Sequence, residues 1–248
     1  MIHPTAIISS LSKIGKSVEI GPYTIVHDNV HIGENSKIGA FCEIGLPTPL
    51  AINNKLTIGS HANIRSHSVI YTGSEIGAYL QTGHHICIRE NSNIDDGVQI
   101  GSRSDIQGDC SIGQYTKMHA DVHIGKNSTI GSYVWLFPEV LLTNDAMPPS
   151  EKLIGPIIED YCVLASKVLV FPGVHIKKHA VISAASVVKQ DIEEWKLVSG
   201  NPAKSVCDAR ILRMPNNPKQ KAYPWTTRFH RGYPNEIVKQ WIDSTAIK

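Results

Sequence analysis

The chain has 248 residues and a formal net charge of +2; 42% of its residues are hydrophobic and only 6% are aromatic. This balance gives no sign of a nucleic-acid-binding protein. No segment approaches the roughly 20 apolar residues of a membrane span, so no membrane association is expected. Five scattered cysteines without a C-x-x-C pair, and an N-terminus without secretory features, predict reduced thiols in the cytoplasm.

An aliphatic residue recurs every sixth position along most of the chain. After a lead-in strand at residues 2–10, the repeat runs from Ile14 to Ile44, is interrupted by a proline-containing loop, and continues from Ile58 to Leu142. Thr82 is the one polar residue among the fifteen repeat positions of this long stretch. A period of six fits neither a helix face nor strand alternation, and it predicts a β-helix with triangular coils. Residues eighteen apart would then stack in one column.

The repeat breaks again where Pro148 and Pro149 prevent a continuous ladder, and it resumes from Ile158 to Val188. The expected fold is therefore all-β: a parallel β-helix of about nine coils with an expelled loop near 143–157. We assign residues 1–206 to this domain and residues 207–248 to a basic, aromatic tail. Short helices are expected at residues 206–213 and 236–242, and the aromatic density predicts that the tail packs on something.

Three motifs point to one protein family. They are the run from Thr82 to Asn91, Thr143-Asn144-Asp145 followed by Pro148-Pro149, and Gly200-Asn201-Pro202-Ala203-Lys204. Over about residues 1–206 the chain resembles the left-handed parallel β-helix acyltransferases of the hexapeptide-repeat family. The motifs are most similar to those of its sugar-nucleotide N-acetyltransferase branch, and the left-handedness is implied by this resemblance alone.

The resemblance implies transfer of an acetyl group from acetyl-CoA to the amino group of a UDP- or dTDP-linked amino sugar. Such a reaction would serve the biosynthesis of lipopolysaccharide or another cell-surface glycan. The resemblance further implies a homotrimer with active sites between subunits, with acetyl-CoA as co-substrate and no metal.

His84 is the candidate general base, because attack by an amine requires a group near neutrality that accepts a proton. The polar residue Thr82 beside it suggests a backbone distortion that aims this side chain. Glu90 is a weaker candidate for orienting His84 or for binding sugar. The further candidates for substrate binding are His85, Arg89, Asn144 and Asp145. For His84 and His85, a role as solvent-facing corner residues is the simpler alternative.

Coenzyme A is expected to bind at the C-terminal end of the β-helix, with its pantetheine arm running past Asn144 towards His84. Small residues would admit the arm, and lysines would contact phosphates. The candidate residues are Ser183, Ala184, Lys189, Asn201, Pro202 and Lys204. In the tail, Arg228, Arg231 and Trp225 are expected near nucleotide or coenzyme phosphates, although a purely structural cap is equally compatible with the sequence.

Three other functions compete with N-acetylation. An O-acetyltransferase of the same fold would acylate a serine or sugar hydroxyl. A β-helix carbonic anhydrase would need three zinc-binding imidazoles, and His84, His119 and His123 approximate that spacing. However, His84 and His119 are one residue short of two full coils, so they should not stack. A non-catalytic scaffold would have no reason to interrupt its ladder at Thr82 or to expel a loop.

Overall fold

The computed structural model describes residues 1–246, with side chains described up to residue 243. Three parallel sheets, here called faces A, B and C in chain order, enclose an aliphatic interior. Face A has ten strands: Ile7–Ile8, Ile25–Val26, Glu43–Leu46, Val69–Tyr71, Cys87–Ile88, Asp105–Ile106, His123–Ile124, Leu141–Leu142, Leu169–Val170 and Val187–Val188. Face B has nine: Lys13–Ile14, Val30–Ile32, Leu56–Ile58, Glu75–Ile76, Asn93–Ile94, Ser111–Ile112, Thr129–Ile130, Ile157–Ile158 and His175–Ile176.

Face C has eleven strands, of which only the last runs antiparallel. They are Glu19–Ile20, Lys37–Ile38, Asn63–Ile64, Gln81–Thr82, Gln99–Ile100, Lys117–Met118, Trp135–Leu136, Val163–Leu164, Val181–Ile182, Lys196–Ser199 and Lys204–Asp208. The β-helix predicted from the period of six is therefore confirmed. Its sheets hold nine to eleven strands, slightly more than the nine coils expected, because the lead-in strand and the closing hairpin add to the repeat.

The repeat positions point inward and form the core. Ile58, Ile76 and Ile94 succeed one another on face B, and each is at most 3% exposed. At the C-terminal end of face C, Val181 pairs with Leu197, sixteen residues along the chain. The other neighbouring parallel strands pair residues eighteen apart, except across the two expelled loops. There Ile38 pairs with Ile64, and Ile130 pairs with Ile158. Each loop therefore adds residues to one coil without disturbing the inward columns above and below it.

Corners between faces determine where polar side chains can be displayed. Corner A/B follows face A and carries both expelled loops, near residues 47–55 and 143–156. Corner B/C carries a column of aromatic residues, and corner C/A carries His84. One residue at nearly every corner adopts a positive φ, including His85 at φ 57°. This conformation is costly for a side chain other than glycine, so the corner geometry restricts what the residue can do.

The tail packs against face C and corner B/C. Trp225, Tyr233 and Trp241 are buried against Tyr133, Val163 and Val181, together with Trp135 and Tyr161. Several of these rings meet edge to face, as Trp135 and Trp225 do at 6.0 Å, an arrangement worth about 0.5–1.5 kcal/mol per pair beyond area burial. The predicted packing of the aromatic tail is confirmed.

The tail's secondary structure differs in part from expectation. Residues 206–213 were expected to form a short helix. Instead, strand Lys204–Asp208 is followed by a single 3-10 turn at Ala209–Ile211, because the strand pairs with the preceding strand of face C, Lys196–Ser199. A hairpin of Arg213–Met214 and Asn217–Lys221, a second 3-10 turn at Trp225–Thr227 and an α-helix at Asn235–Ala246 complete the tail. In the described part of the chain, no helix has both the length and the apolarity to cross a membrane.

Candidate functional site

A cleft lies between the tail and corner C/A, and we call it the tail cleft. Its lower part, about 490 Å³, is lined by Gly83, Ser102, Lys117, His119 and further residues of face C and the tail. Its upper part, about 310 Å³, is mainly aromatic. The two parts share wall residues: His119, Trp135, Phe229 and Arg231. The β-helix alone presents flat sides, so the docked tail supplies the concavity.

Small residues keep corner C/A open along its length. One column of this corner consists of Ser66, His84, Ser102, Ala120, Pro138, Ser166 and Ala184. The neighbouring column has glycine at positions 83 and 101, where a Cβ would collide with the backbone of the next coil at 2.3 and 2.2 Å. Glycine is therefore required at these two positions by the close packing of successive coils.

Thr82 interrupts the regular backbone hydrogen bonding of face C, close to this column. Elsewhere on face C, the residue after each inward residue donates its backbone N–H to the carbonyl of the inward residue in the next coil. Gly83 donates to the Ile100 carbonyl in this way, at 2.7 Å. At this coil, the Arg65 N–H donates instead to the Thr82 hydroxyl at 2.9 Å, and Arg65 Nε donates to the Thr82 carbonyl at 3.1 Å. The distortion expected from this one polar repeat position is present next to His84.

His84 is exposed, and serines of the two adjacent coils hydrogen-bond its ring and its backbone. Its Nδ1 lies 2.8 Å from the Ser66 hydroxyl, and its backbone N–H donates to the Ser102 hydroxyl at 3.0 Å. His85 is different: its ring stacks on His67 at 4.6 Å, in a ladder that continues to Phe41 and Tyr23. The structure thus favours a corner-packing role for His85, whereas His84 presents a defined imidazole at the corner.

His119 is a second imidazole on this corner, and the sequence analysis considered it only as a zinc ligand. It lines both parts of the tail cleft and stacks on Phe137 at 4.8 Å. Burial lowers its pKa, so the neutral form, which can accept a proton, predominates at neutral pH. The sequence contained a signal for this residue, because His119 occupies a column in which the two preceding coils have glycine, at Gly83 and Gly101.

Four candidate substrate residues lie at corner A/B, across the width of face A from His84. Glu90 is 1% exposed, and Arg89 donates to its two carboxylate oxygens at 3.2 Å each. The structure does not place Glu90 where it could orient His84, because residues six apart occupy successive corners. Asn144 donates to the Lys126 carbonyl, while Asp145 accepts bonds from Met147 and Ser150 within the loop.

The candidates for coenzyme binding divide between the same two corners. Ser183 and Ala184 lie at corner C/A, in line with His84 and five coils above it. Asn201 and Pro202 form the turn of the closing hairpin, from which exposed Lys204 begins the last strand. Lys189 is at corner A/B, with its Nζ 5.0 Å above the Phe171 ring. Asn144 lies at corner A/B, so an arm that followed corner C/A of one chain would not pass it.

The three histidines considered for zinc are not gathered together. His84 and His119 lie at different heights of corner C/A, and His123 points outward from face A with its Nδ1 3.0 Å from Asp105. Within the described residues, no group of three His, Cys, Asp or Glu side chains has the arrangement to hold a metal ion.

Comparison with known proteins places the fold and site in context. Residues 12–46 match the family model "Bacterial transferase hexapeptide (six repeats)". The chain is 33% identical over 205 residues to acyl-[acyl-carrier-protein]–UDP-N-acetylglucosamine O-acyltransferase of Pseudomonas entomophila, covering 82% of this chain and 72% of that protein. The chain belongs to the hexapeptide-repeat acyltransferase family. The same enzyme of Pseudomonas paraeruginosa is 32% identical, over 83% of this chain and 73% of that protein.

A solved relative supports the fold of this hexapeptide acyltransferase. UDP-N-acetylglucosamine acyltransferase from Campylobacter jejuni superposes with a TM-score of 0.56 and 19% sequence identity, covering 97% of this chain and 81% of that one. The relatives in sequence are named for O-acylation from an acyl-carrier protein, whereas the sequence motifs resemble those of N-acetyltransferases that use acetyl-CoA. The enzyme class agrees with the sequence analysis, but the relatives' names give a different acceptor atom and donor.

Proposed function

We propose that this protein transfers an acyl group from a phosphopantetheine thioester to a nucleotide-linked sugar, in the biosynthesis of a cell-surface glycan such as lipid A. Family membership supports acyl transfer, and the relatives' names support a UDP-sugar acceptor. The observation that carries the proposal is the column of mainly small residues at corner C/A, which runs along the β-helix from Ala184 near the closing hairpin to His84. A phosphopantetheine arm is common to acyl-carrier protein and coenzyme A, so this groove suits either donor.

In the reaction, an acceptor oxygen or nitrogen attacks the thioester carbonyl, and the carbon–sulfur bond breaks as the new acyl bond forms. The acceptor's proton passes to an imidazole, which returns a proton to the departing sulfur. His84 remains the proposed base, because in the tautomer whose Nδ1–H donates to the Ser66 hydroxyl, Nε2 is the nitrogen that accepts a proton. His119 is the alternative that the geometry brings forward, because it lies in the tail cleft with a lowered pKa.

The base can be identified by comparing His84→Ala and His119→Ala. Loss of the general base should lower kcat by about two to four orders of magnitude with little change in donor binding. The other variant should lose less than about tenfold. His85→Ala is the matched control, since the His85 ring belongs to the same corner and stacks on His67. If both variants keep near-normal kcat, no imidazole of this corner is the base.

Donor and acceptor can be determined in one assay that follows release of free thiol. We would combine acyl-carrier protein thioesters with UDP-N-acetylglucosamine, and acetyl-CoA with UDP- and dTDP-linked amino sugars. Activity with the first combination assigns O-acylation, as the relatives are named. Activity with the second assigns N-acetylation from acetyl-CoA, which the Thr143–Pro149 loop motif favours. No acyl transfer in either combination would contradict the proposal.

We further propose a homotrimer with active sites between subunits. His84 and Asn144 lie at different corners of one chain, so a substrate that contacts both must bind between neighbouring chains. Light scattering should therefore give a trimer mass. Mixing His84→Ala chains with Asn144→Ala chains should partly restore activity if each site takes one residue from each subunit. Absence of restoration, with mixed trimers verified by mass, would contradict a site that takes one residue from each subunit.

A further inference from the structure

The upper part of the tail cleft contains binding groups that the fold itself leaves unused. Trp225 is 5% exposed and forms part of the wall. Its indole Nε1 is buried, yet it has no hydrogen-bond partner in the described structure. A buried donor without an acceptor is costly, and native proteins rarely retain one without a reason. A ligand acceptor in the cleft would satisfy it once the indole turned its shielded N–H towards the cleft.

Two guanidinium groups stand at the same part of the cleft. Arg228 donates from Nε to the Ala222 carbonyl at 2.9 Å, which leaves its two terminal nitrogens for other contacts. Arg231 lies with its guanidinium carbon 5.8 Å from the centroid of the Phe229 ring. Among residues 1–243, no carboxylate forms an ion pair with either side chain. Guanidinium groups of this kind bind phosphate in a bidentate manner.

The remaining wall is aromatic and approximately the size of a nucleoside. Trp135 meets Phe229 edge to face at 5.4 Å and lies 5.9 Å from Phe137. The volume of this part of the cleft, about 310 Å³, exceeds that of a single ring. Flat aromatic walls bind nucleobases by stacking without demanding a particular base.

We propose that the upper tail cleft binds a nucleoside phosphate. The base would pack against Trp135 and Phe229, the Trp225 N–H would donate to a base or ribose oxygen or nitrogen, and a phosphate would bind Arg231 and Arg228. This inference rests on the proposed function, because one of its two substrates carries a nucleotide. The source is either the nucleoside diphosphate of the acceptor or the adenosine 3′,5′-bisphosphate end of coenzyme A.

Calorimetric titration of the full chain distinguishes these sources. UDP and adenosine 3′,5′-bisphosphate are titrated separately into the wild type, Arg231→Ala, Trp225→Phe and Lys219→Ala. The last variant removes a cation from an exposed strand of the same tail that does not line the cleft. One nucleotide should bind the wild type, and Arg231→Ala should weaken that binding about tenfold or more, as expected for loss of a hydrogen bond to a charged group.

Trp225→Phe removes the indole N–H but keeps an aromatic ring, so it should also weaken binding. Lys219→Ala should change binding less than about twofold. Binding of UDP alone assigns the acceptor, and binding of the bisphosphate alone assigns the donor. Failure of both nucleotides to bind the wild type, or equal weakening by Arg231→Ala and Lys219→Ala, overturns the inference. Acyl transfer is measured on the same samples, so that failure of this inference can be distinguished from failure of the proposed function. If Arg231→Ala is active with unchanged KM values, the enzyme has the proposed function but does not use this nucleotide site.

Discussion

Replacing Thr82 with valine tests whether the break in the ladder positions His84. The change removes the hydroxyl that accepts the Arg65 N–H and donates to the Gly83 carbonyl, each at 2.9 Å. Two hydrogen bonds contribute about 1 kcal/mol each, and burying a methyl group in place of the hydroxyl returns about 0.8 kcal/mol. We therefore expect the free energy of unfolding to fall by about 1 kcal/mol. The backbone of this coil should relax towards the regular ladder.

Thr82→Ser is the matched control, because it retains the hydroxyl and loses only the methyl group, at a cost of about 0.8 kcal/mol. The two variants should thus be similarly stable in urea titrations. Their kcat values should differ, since misplacing a catalytic group by about 1 Å can cost about a hundredfold. We expect Thr82→Val to lose at least about tenfold in kcat and Thr82→Ser less than about threefold. The reasoning fails if Thr82→Val is as active as Thr82→Ser at equal stability.

Three further predictions concern groups around the site. Burial lowers the pKa of Lys117 to about 8, so the folded protein releases this proton at lower pH than the unfolded chain does. Stability should therefore rise as pH increases from about 8 towards the ordinary lysine pKa, and Lys117→Met should abolish that rise in urea midpoints measured across the window. Removing Arg89 leaves the buried Glu90 carboxylate unpaired, so Arg89→Met should lower the free energy of unfolding in urea titrations by about 3–5 kcal/mol. Asn91 bonds Leu50 and Ile52 of the first expelled loop, so Asn91→Ala should increase hydrogen exchange there, with the second loop as the internal control.

The cysteines illustrate how burial limits the available chemistry. Desolvation raises the pKa of Cys87 to about 11 and that of Cys110 to about 12. Neither thiol forms an appreciable thiolate at neutral pH, so neither is suited to act as a nucleophile that takes the acyl group. Cys110 is 2% exposed and packs in the core, as the repeat around Ile112 indicates.

Much of the fold could be predicted from the sequence because its structure repeats. An aliphatic residue at every sixth position requires one inward side chain per side of a triangular coil, and this requirement is local. The same rule explains why the loops after Ile44 and Leu142 were recognisable, since insertions that break the period must leave the coil. Thr82 was recognisable as well, because a polar residue in an otherwise aliphatic column requires hydrogen bonds that the regular ladder does not provide.

The composition of the site depended on tertiary structure. Residues six apart, such as His84 and Glu90, are close in sequence but belong to successive corners, so proximity along the chain suggested a pairing that the coil forbids. Trp225 and Trp135 meet only because the aromatic tail folds back over face C, a contact between distant segments that no period encodes. That return brings His119 into a cleft and partly desolvates its imidazole. The local spacing of the repeat thus determined which residues stack in one column of a corner. The long-range packing of the tail decided which of these columns border a cavity.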